Sequence, residues 1–379
     1  MNATGIGWTD FTWNLFSGCR RISSACAECY AFTLAERHRG GRAFPHGFDL
    51  TVRPKKLDEP RKLLKSSGPS LIFVESMGDI GLHDDELTPA EIDRLYEAGF
   101  HGMDHLRDAV FKVIGDVGDH RYQLLTKRPE VLYNFLAARK SKLPPSVWLG
   151  VTLETPREAQ RLETLLRIKR DFFGPQNVAF VSVEPMLADV SQTLAPYTDD
   201  IDWLIIGGES GTHFADPKKA HRFLVTKTQP DSPERKSEGL YAVKRAALNV
   251  VRRLLALKRG SETLRRADEA LLASGWQGLA GGCSEEGTSV RALHASLVSH
   301  TANTMRTTAT ARALVAMEAC FVPTFFKQWG GPTPPSGGRA VDGRTYDEMP
   351  HVLGAMPERR GSLAAPTAGL ARKLPVVST

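Results

Sequence analysis

Six short apolar runs mark the chain: LIFVES (71–76), YQLLTK (122–127), VWLGVTLE (147–154), VAFVSVEP (178–185), WLIIGGES (203–210) and VPTFFKQWG (322–330). Each holds four to six mostly β-branched, aromatic or leucine side chains, which fits strands buried on both faces. Helix-like stretches lie between them. TPAEIDRLYEAG (88–99) has Thr88 as N-cap and Pro89 at the first helical position, and RPEVLYNFLAARK (128–140) follows the second run. CYAFTLAERHRGG (29–41) carries an apolar face of Tyr30, Phe32, Leu34 and Ala35 and stops in glycines. Strand then helix, repeated, predicts an α/β fold with a parallel sheet and right-handed crossovers.

The runs share a second feature: they finish in polar or charged residues. These are Glu75-Ser76, Thr126-Lys127-Arg128, Thr152 and Glu154, Ser182 and Glu184, Gly207-Gly208-Glu209-Ser210, and Lys327-Gln328. In parallel barrels and open sheets the carboxyl ends of the strands form the ligand-binding face, so six such endings point to one shared site. The alternative is a set of internal ion pairs closing the top of a barrel.

Composition narrows the classes. The chain has 379 residues, 49 Lys and Arg against 43 Asp and Glu, and 41% apolar residues, enough for a real core and unlike collagenous, coiled-coil or wholly disordered chains. No run of 18 apolar residues occurs and MNATGIGWTDFTWN lacks the order of a secretion signal, so a soluble, cytoplasmic protein without a membrane partner is expected. Of five cysteines, three crowd together as Cys19, Cys26 and Cys29; Cys283 and Cys320 stand alone. A compact triplet in a reducing compartment suits metal, because thiolates are soft ligands and short spacing lowers the entropy of assembling them. A structural zinc site needs four protein ligands, and the nearest fourth candidates are His38 and His46. Three cysteines alone fit an iron–sulfur cluster with one open iron. Cluster, zinc and incidental clustering all stand at this point.

GIGWTDFTWN, the cysteine triplet followed by Tyr30, FVESMGD, LLTKRP, WLGVTLE, SVEP, WLIIGGESG, FFKQWGG and DGRTYDEMP together resemble a phage- and prokaryote-associated family. That family is known mainly as a domain of unknown function and is grouped with the radical S-adenosylmethionine (radical SAM) enzymes. The resemblance covers residues 4–224 and 311–350. It implies a partial (β/α) barrel of radical SAM type holding a [4Fe-4S] cluster, with Cys19, Cys26 and Cys29 on three irons and S-adenosylmethionine on the fourth. One electron then cleaves the sulfonium bond, and the deoxyadenosyl radical abstracts hydrogen from substrate. A reductant protein is implied as partner, and the phage association suggests a nucleic-acid or nucleotide substrate. The spacing here is Cys-x6-Cys-x2-Cys, where Cys-x3-Cys-x2-Cys is common in the superfamily, and Glu28 stands where an aromatic often precedes the last cysteine.

The same resemblance places polar groups for the methionine amine after the first strand, so Glu75, Ser76 and Asp79, with Tyr30, are the expected cofactor contacts. Gly207 and Gly208 look like an amine-binding sequence arriving several strands late; their glycines equally suit close backbone approach. Lys127, Glu184, Glu209 and Lys327 are the candidate catalytic side chains. Lys127 and Arg128 can fix a carboxylate or phosphate, or pair with Glu154 or Glu184. Trp8 and Trp13, beside Asp10 and Asn14, read as core or lid packing.

Between Phe223 and Arg312 the strand signals stop. An insertion over 225–310 opens with a Pro/Ser/charge-rich linker, continues as an amphipathic helix over 240–258 and closes with a Gly/Ser/Thr/Ala-rich stretch, 274–310. Its predicted apolar face is Leu240, Val243, Ala247, Val251 and Leu254; Lys244, Arg245, Arg252 and Arg253 take the other. The insertion holds 13 Lys and Arg against 8 Asp and Glu, and the rest of the chain 36 against 35. A nucleic-acid contact argued from charge therefore belongs to that helix. The segment 311–350 completes the barrel and 351–379 reads as a flexible tail.

Overall fold

The computed structural model describes residues 1–227, 241–257, 259, 321–350 and 376–377. They form two compact units: residues 1–187 with 211–213, and the remainder. The Gly/Ser/Thr/Ala-rich stretch 274–310, the tail 351–379 apart from its two described residues, and Cys283 and Cys320 lie outside the described residues.

The first unit opens with β1 (Asn2–Ala3), β2 (Phe11–Trp13), β3 (Phe16–Ser17), α1 (Tyr30–Arg37), β4 (Thr51–Val52) and α2 (Glu59–Ser67). Then β5 (Leu71–Val74), α3 (Pro89–Glu97), α4 (Met103–Asp116), β6 (Arg121–Thr126), α5 (Pro129–Arg139), β7 (Val147–Thr152), α6 (Ala159–Phe172) and β8 (Val178–Val183) alternate as the patterning predicts. Strands β2, β5, β6, β7 and β8 pair in parallel in that order, with β1 antiparallel at the edge. The sheet curls into a half-barrel flanked by helices. Every residue of β5, β7 and β8 is buried, as expected of strands covered on both faces.

Local chemistry sets the helix ends. At α3, Thr88 and Glu91 form the reciprocal capping box, and Pro89 follows in the first turn. Helix α5 starts after Arg128, whose backbone (φ −128°, ψ 57°) lies outside the helical region that the following Pro129 disfavours. On α6, Leu162, Leu165, Ile168 and Phe172 bury one face. Trp8 and Trp13 are core, as read from sequence, and the Trp13 indole donates to the Lys56 carbonyl.

The second unit contains α7 (Ser191–Leu194), β9 (Trp203–Gly207), β10 (Val225–Lys227), β11 (Tyr241–Lys244), α8 (Arg245–Leu255), β12 (Thr324–Gln328) and β13 (Val376–Val377). Strands β9 and β12 are parallel, with a bulge between Phe326 and Gln328. Strand β11 runs antiparallel to β10 and parallel to β13. The helix expected to start at Leu240 therefore starts at Arg245. Backbone pairing of residues 241–243 with 225–227 claims the first turn, a tertiary override of helical periodicity. The observed apolar face is Ala247, Leu248, Val251, Leu254 and Leu255, while Arg252 pairs with Asp342 and Arg253 with Asp189. Among the described residues no helix is long and apolar enough to cross a membrane.

Candidate functional site: a cysteine loop at the strand ends

The three cysteines lie on an excursion, residues 18–50, closed at its neck by the antiparallel pair β3 and β4. The neck is fastened to the turn after β5. Glu75 is buried with φ +58°, a conformation costly for a residue with a side chain, and its carboxylate accepts the amides of Leu15 (2.7 Å) and Phe16. Burial drives the Glu75 carboxyl well above its usual range, against the two amides and the charges of Lys56 and Arg53. The Gly18 amide donates to the Met77 carbonyl. Gly18 has φ +112°, and a Cβ there would meet Leu50 backbone at 2.8 Å, so only glycine lets the two necks cross.

Beyond the neck, Cys26 sits in a 3-10 turn, Ser24–Glu28, and Cys29 caps α1. Cys19 and Cys29, with Phe32, Phe44 and Met77, pack against a small core of Ala31, Ala35 and Phe48. Cys19 and Cys26 are close enough for the charge of one to act on the other. Burial, reinforced by Asp79, pushes the Cys19 thiol up to about 12. For Cys26, burial acts in the same direction but is outweighed by hydrogen bonding to the Ser23 hydroxyl and to Ile22 and Ser23 backbone and by the Lys127 charge, so its thiol falls below the usual value.

Two buried ionic groups tie this loop to the strand ends. In one, Glu154, fully buried, accepts from Ser23 Oγ (2.8 Å), Lys127 Nζ (2.8 Å) and Arg161 Nη1 (2.7 Å). Ser23 Oγ also lies 3.4 Å from Cys26 Sγ. In the other, Arg128 donates to Glu86, Asp79 and the Arg20 carbonyl, and its Nη1 lies 3.5 Å from Cys19 Sγ. Arg20 in turn donates to the Glu86 carbonyl and pairs with buried Glu91. Thiolates bound to metal concentrate negative charge, and buried cations beside them suit that load.

The sequence-predicted residues divide between the units. In the first, Asp79 accepts from Gly81 N, Thr126 Oγ1, Lys127 N and Arg128. Ser76 is half-buried; its hydroxyl donates to Asn14 and its carbonyl accepts from the Tyr30 hydroxyl at 2.5 Å. The Tyr30 side chain is 58% exposed and within electrostatic reach of Glu184, which a cis peptide joins to Pro185 at the end of β8. In the second unit, Glu209 closes on Arg222 at 2.6 Å, and Lys327 is half-buried on β12. A Cβ on Gly208 would fall 2.0 Å from the Trp329 carbonyl oxygen, so this glycine serves close backbone approach. Gly207 ends β9 and is buried.

Sequence reasoning read Lys127 and Arg128 as ligand binders or ion pairs; both make ion pairs, and both reach the cysteine loop. Ser23, Glu154 and Arg161 were not singled out as site residues. Glu154 carried a signal, a carboxylate two residues past a buried strand, but a serine between cysteines carries none. Residues 20–56 hold eight Lys and Arg against three Asp and Glu, a local surplus hidden by the balance of the chain outside the insertion. Among them Arg20, Arg21 and Arg39 line an open cavity of about 370 Å³ with Cys19, Phe32, Glu36 and Asp49, the last two paired with Arg39, and Arg21 stacks 4.5 Å over the Phe32 ring. Among the described residues no three His, Cys, Asp or Glu side chains are arranged to hold a single metal ion.

Fold and site together define an α/β half-barrel with a three-cysteine loop fastened to the carboxyl ends of its strands. The chain belongs to the family described as "Protein of unknown function (DUF5131)", whose model matches residues 3–226. No curated protein and no solved structure matches it.

Proposed function

We propose that the chain is a radical SAM-type iron–sulfur enzyme acting on an unassigned substrate, with a nucleic acid or nucleotide suggested by the family resemblance. The observation that carries this reading is the set of three thiols on one loop, with buried Arg128 donating toward Cys19 and half-buried Lys127 reaching Cys26 through Glu154 and Ser23, both at the end of a parallel strand. A [4Fe-4S] cluster fits that donor set: three thiolates spread around a four-iron cube, farther apart than around one ion, and leave an iron for S-adenosylmethionine. When bound, the cluster and S-adenosylmethionine supply one-electron cleavage and hydrogen-atom abstraction.

The chain's own residues hold and shield. Glu75 is engaged by the neck amides and Asp79 by Arg128 and Thr126, so in this reading both carboxylates shape the site, and half-buried Ser76 and exposed Tyr30 are the groups open to cofactor. Lys127 and Glu184 follow the ends of β6 and β8; Glu209 and Lys327 remain proposals from their strand-end positions. A separate reductant protein would deliver the electron.

Anaerobic purification with iron and sulfide analysis tests the reading. About four irons per chain, a brown chromophore and reductive cleavage of S-adenosylmethionine are expected; stoichiometric zinc would overturn it. Cys26→Ala should lose both cluster and cleavage, and retention of both would refute the ligand assignment.

A further inference from the structure

We propose that Arg128 is a positioning residue for the cluster, donating one N–H to the Cys19 sulfur and thereby raising the reduction potential. The inference rests on the cysteine loop being a cluster site. A guanidinium has five N–H hydrogens in a fixed fork. Four go to oxygen: Nε and Nη2 to Glu86 (2.9 and 2.7 Å), Nη2 to the Arg20 carbonyl (2.9 Å) and Nη1 to Asp79 (3.0 Å). The fifth, on Nη1, faces Cys19 Sγ at 3.5 Å.

The fork cannot readily turn away. Arg128 is 6% exposed, and Asp79, which anchors Nη1, is itself held by Gly81 N, Thr126 Oγ1 and Lys127 N. Backbone fixes the root of the side chain as well, since Pro129 follows it. Hydrogen bonds to cluster sulfurs draw electron density from the irons and favour the reduced state. Asp79 and Glu86 already offset the Arg128 charge, so what Cys19 receives is chiefly a directed donor. Lysine would keep the charge but carries its three donors on one atom, which cannot serve Glu86, Asp79 and Cys19 together.

EPR-monitored redox titration of the anaerobic full-length protein tests this. Arg128→Lys should retain native iron and sulfide content while its reduction equilibrium shifts about tenfold toward the oxidised form, about 59 mV more negative for one electron. Arg128→Gln should shift further where it folds, since Asp79 and Glu86 then lose their cation. Arg139→Lys alters an exposed ion pair with Asp108 at the far end of α5 and should leave the potential unchanged. A native potential in Arg128→Lys, or an equal shift in Arg139→Lys, would overturn the proposal. A native chain that assembles no iron would instead overturn the cluster reading, and this proposal with it.

Discussion

At the end of β6, Lys127 and Arg128 turn their charges toward the cysteine loop, one through Glu154 and Ser23 and the other directly at the Cys19 sulfur. At the end of β9, Glu209 instead closes on Arg222, and Gly208 gives room to the backbone of Trp329. In sequence the two endings look alike, polar residues after a buried strand. In the first unit the polar end is connected to the residues that carry soft-ligand chemistry; in the second it completes its own unit. A polar strand end marks a binding face only when its charges have a loop to serve.

The largest effect that separates the two is in stability. Glu154→Ala removes a fully buried carboxylate and leaves buried Arg161 and half-buried Lys127 without their shared partner, and should cost about 3–5 kcal/mol. Glu209→Ala removes one partner from Arg222, whose side chain is 11% exposed, and should cost about 1.5–3 kcal/mol. Denaturant midpoints measure both, and iron content should fall only in the first. Equal losses with equal iron would break the comparison.

The pH dependence of stability should differ in sign. The folded-state pKa of Glu75 is raised by burial, so its contribution is present below the ordinary carboxyl range and is lost as pH climbs through the raised value. The loss amounts to about 1.4 kcal/mol for each pH unit separating the folded from the unfolded value. In the second unit, burial of Asp189 is outweighed by hydrogen bonds from Ser191 and by Arg253, which lower its pKa. That contribution is present above the ordinary range and is lost as pH falls through the lowered value. Glu75→Gln should flatten the loss on raising pH and Asp189→Asn the loss on lowering it in thermal melts across pH; a shared sign would remove the distinction.

The smallest effect is confined to the loop. In metal-free protein, iodoacetamide should modify Cys26 at least about tenfold faster than Cys19 near neutral pH, because the thiolate is the reactive form, and Ser23→Ala should narrow the ratio. Peptide mass spectrometry reads both rates. Faster labelling of Cys19 would contradict the assigned environments.

Much of the first unit was legible because its signals are local. Buried strands such as 147–152 are runs of apolar residues, and α3 announces itself through Thr88, Pro89 and Glu91. Strand β11 was not legible: the helical stripe read from sequence runs through Val243, and only pairing of residues 241–243 with 225–227 makes them extended. The cysteine triplet was legible as three thiols on one loop, but Arg128 beside Cys19, and Glu154 with Lys127 and Arg161 behind Ser23, come from beyond β6, beyond β7 and from α6, more than a hundred residues away. Glu75 shows the same limit from the other side. Its position after a strand suggested a cofactor contact, whereas its left-handed backbone turns the carboxylate onto Leu15 and Phe16. Which way a side chain turns at a strand end depends on what the fold brings there.

Ser23 has one hydroxyl hydrogen and two claimants, Cys26 Sγ at 3.4 Å and Glu154 Oε1 at 2.8 Å. While that hydrogen points to Glu154, Ser23 can only receive from the Cys26 thiol. Once the sulfur gives up its proton, nothing lies between sulfur and hydroxyl oxygen until the hydroxyl rotates. Rotation leaves Glu154 to Lys127 and Arg161. Deprotonation of Cys26 is thus coupled to a single rotor, and the vibrational signature of the Glu154 carboxylate should register whether Cys26 is a thiol or a thiolate.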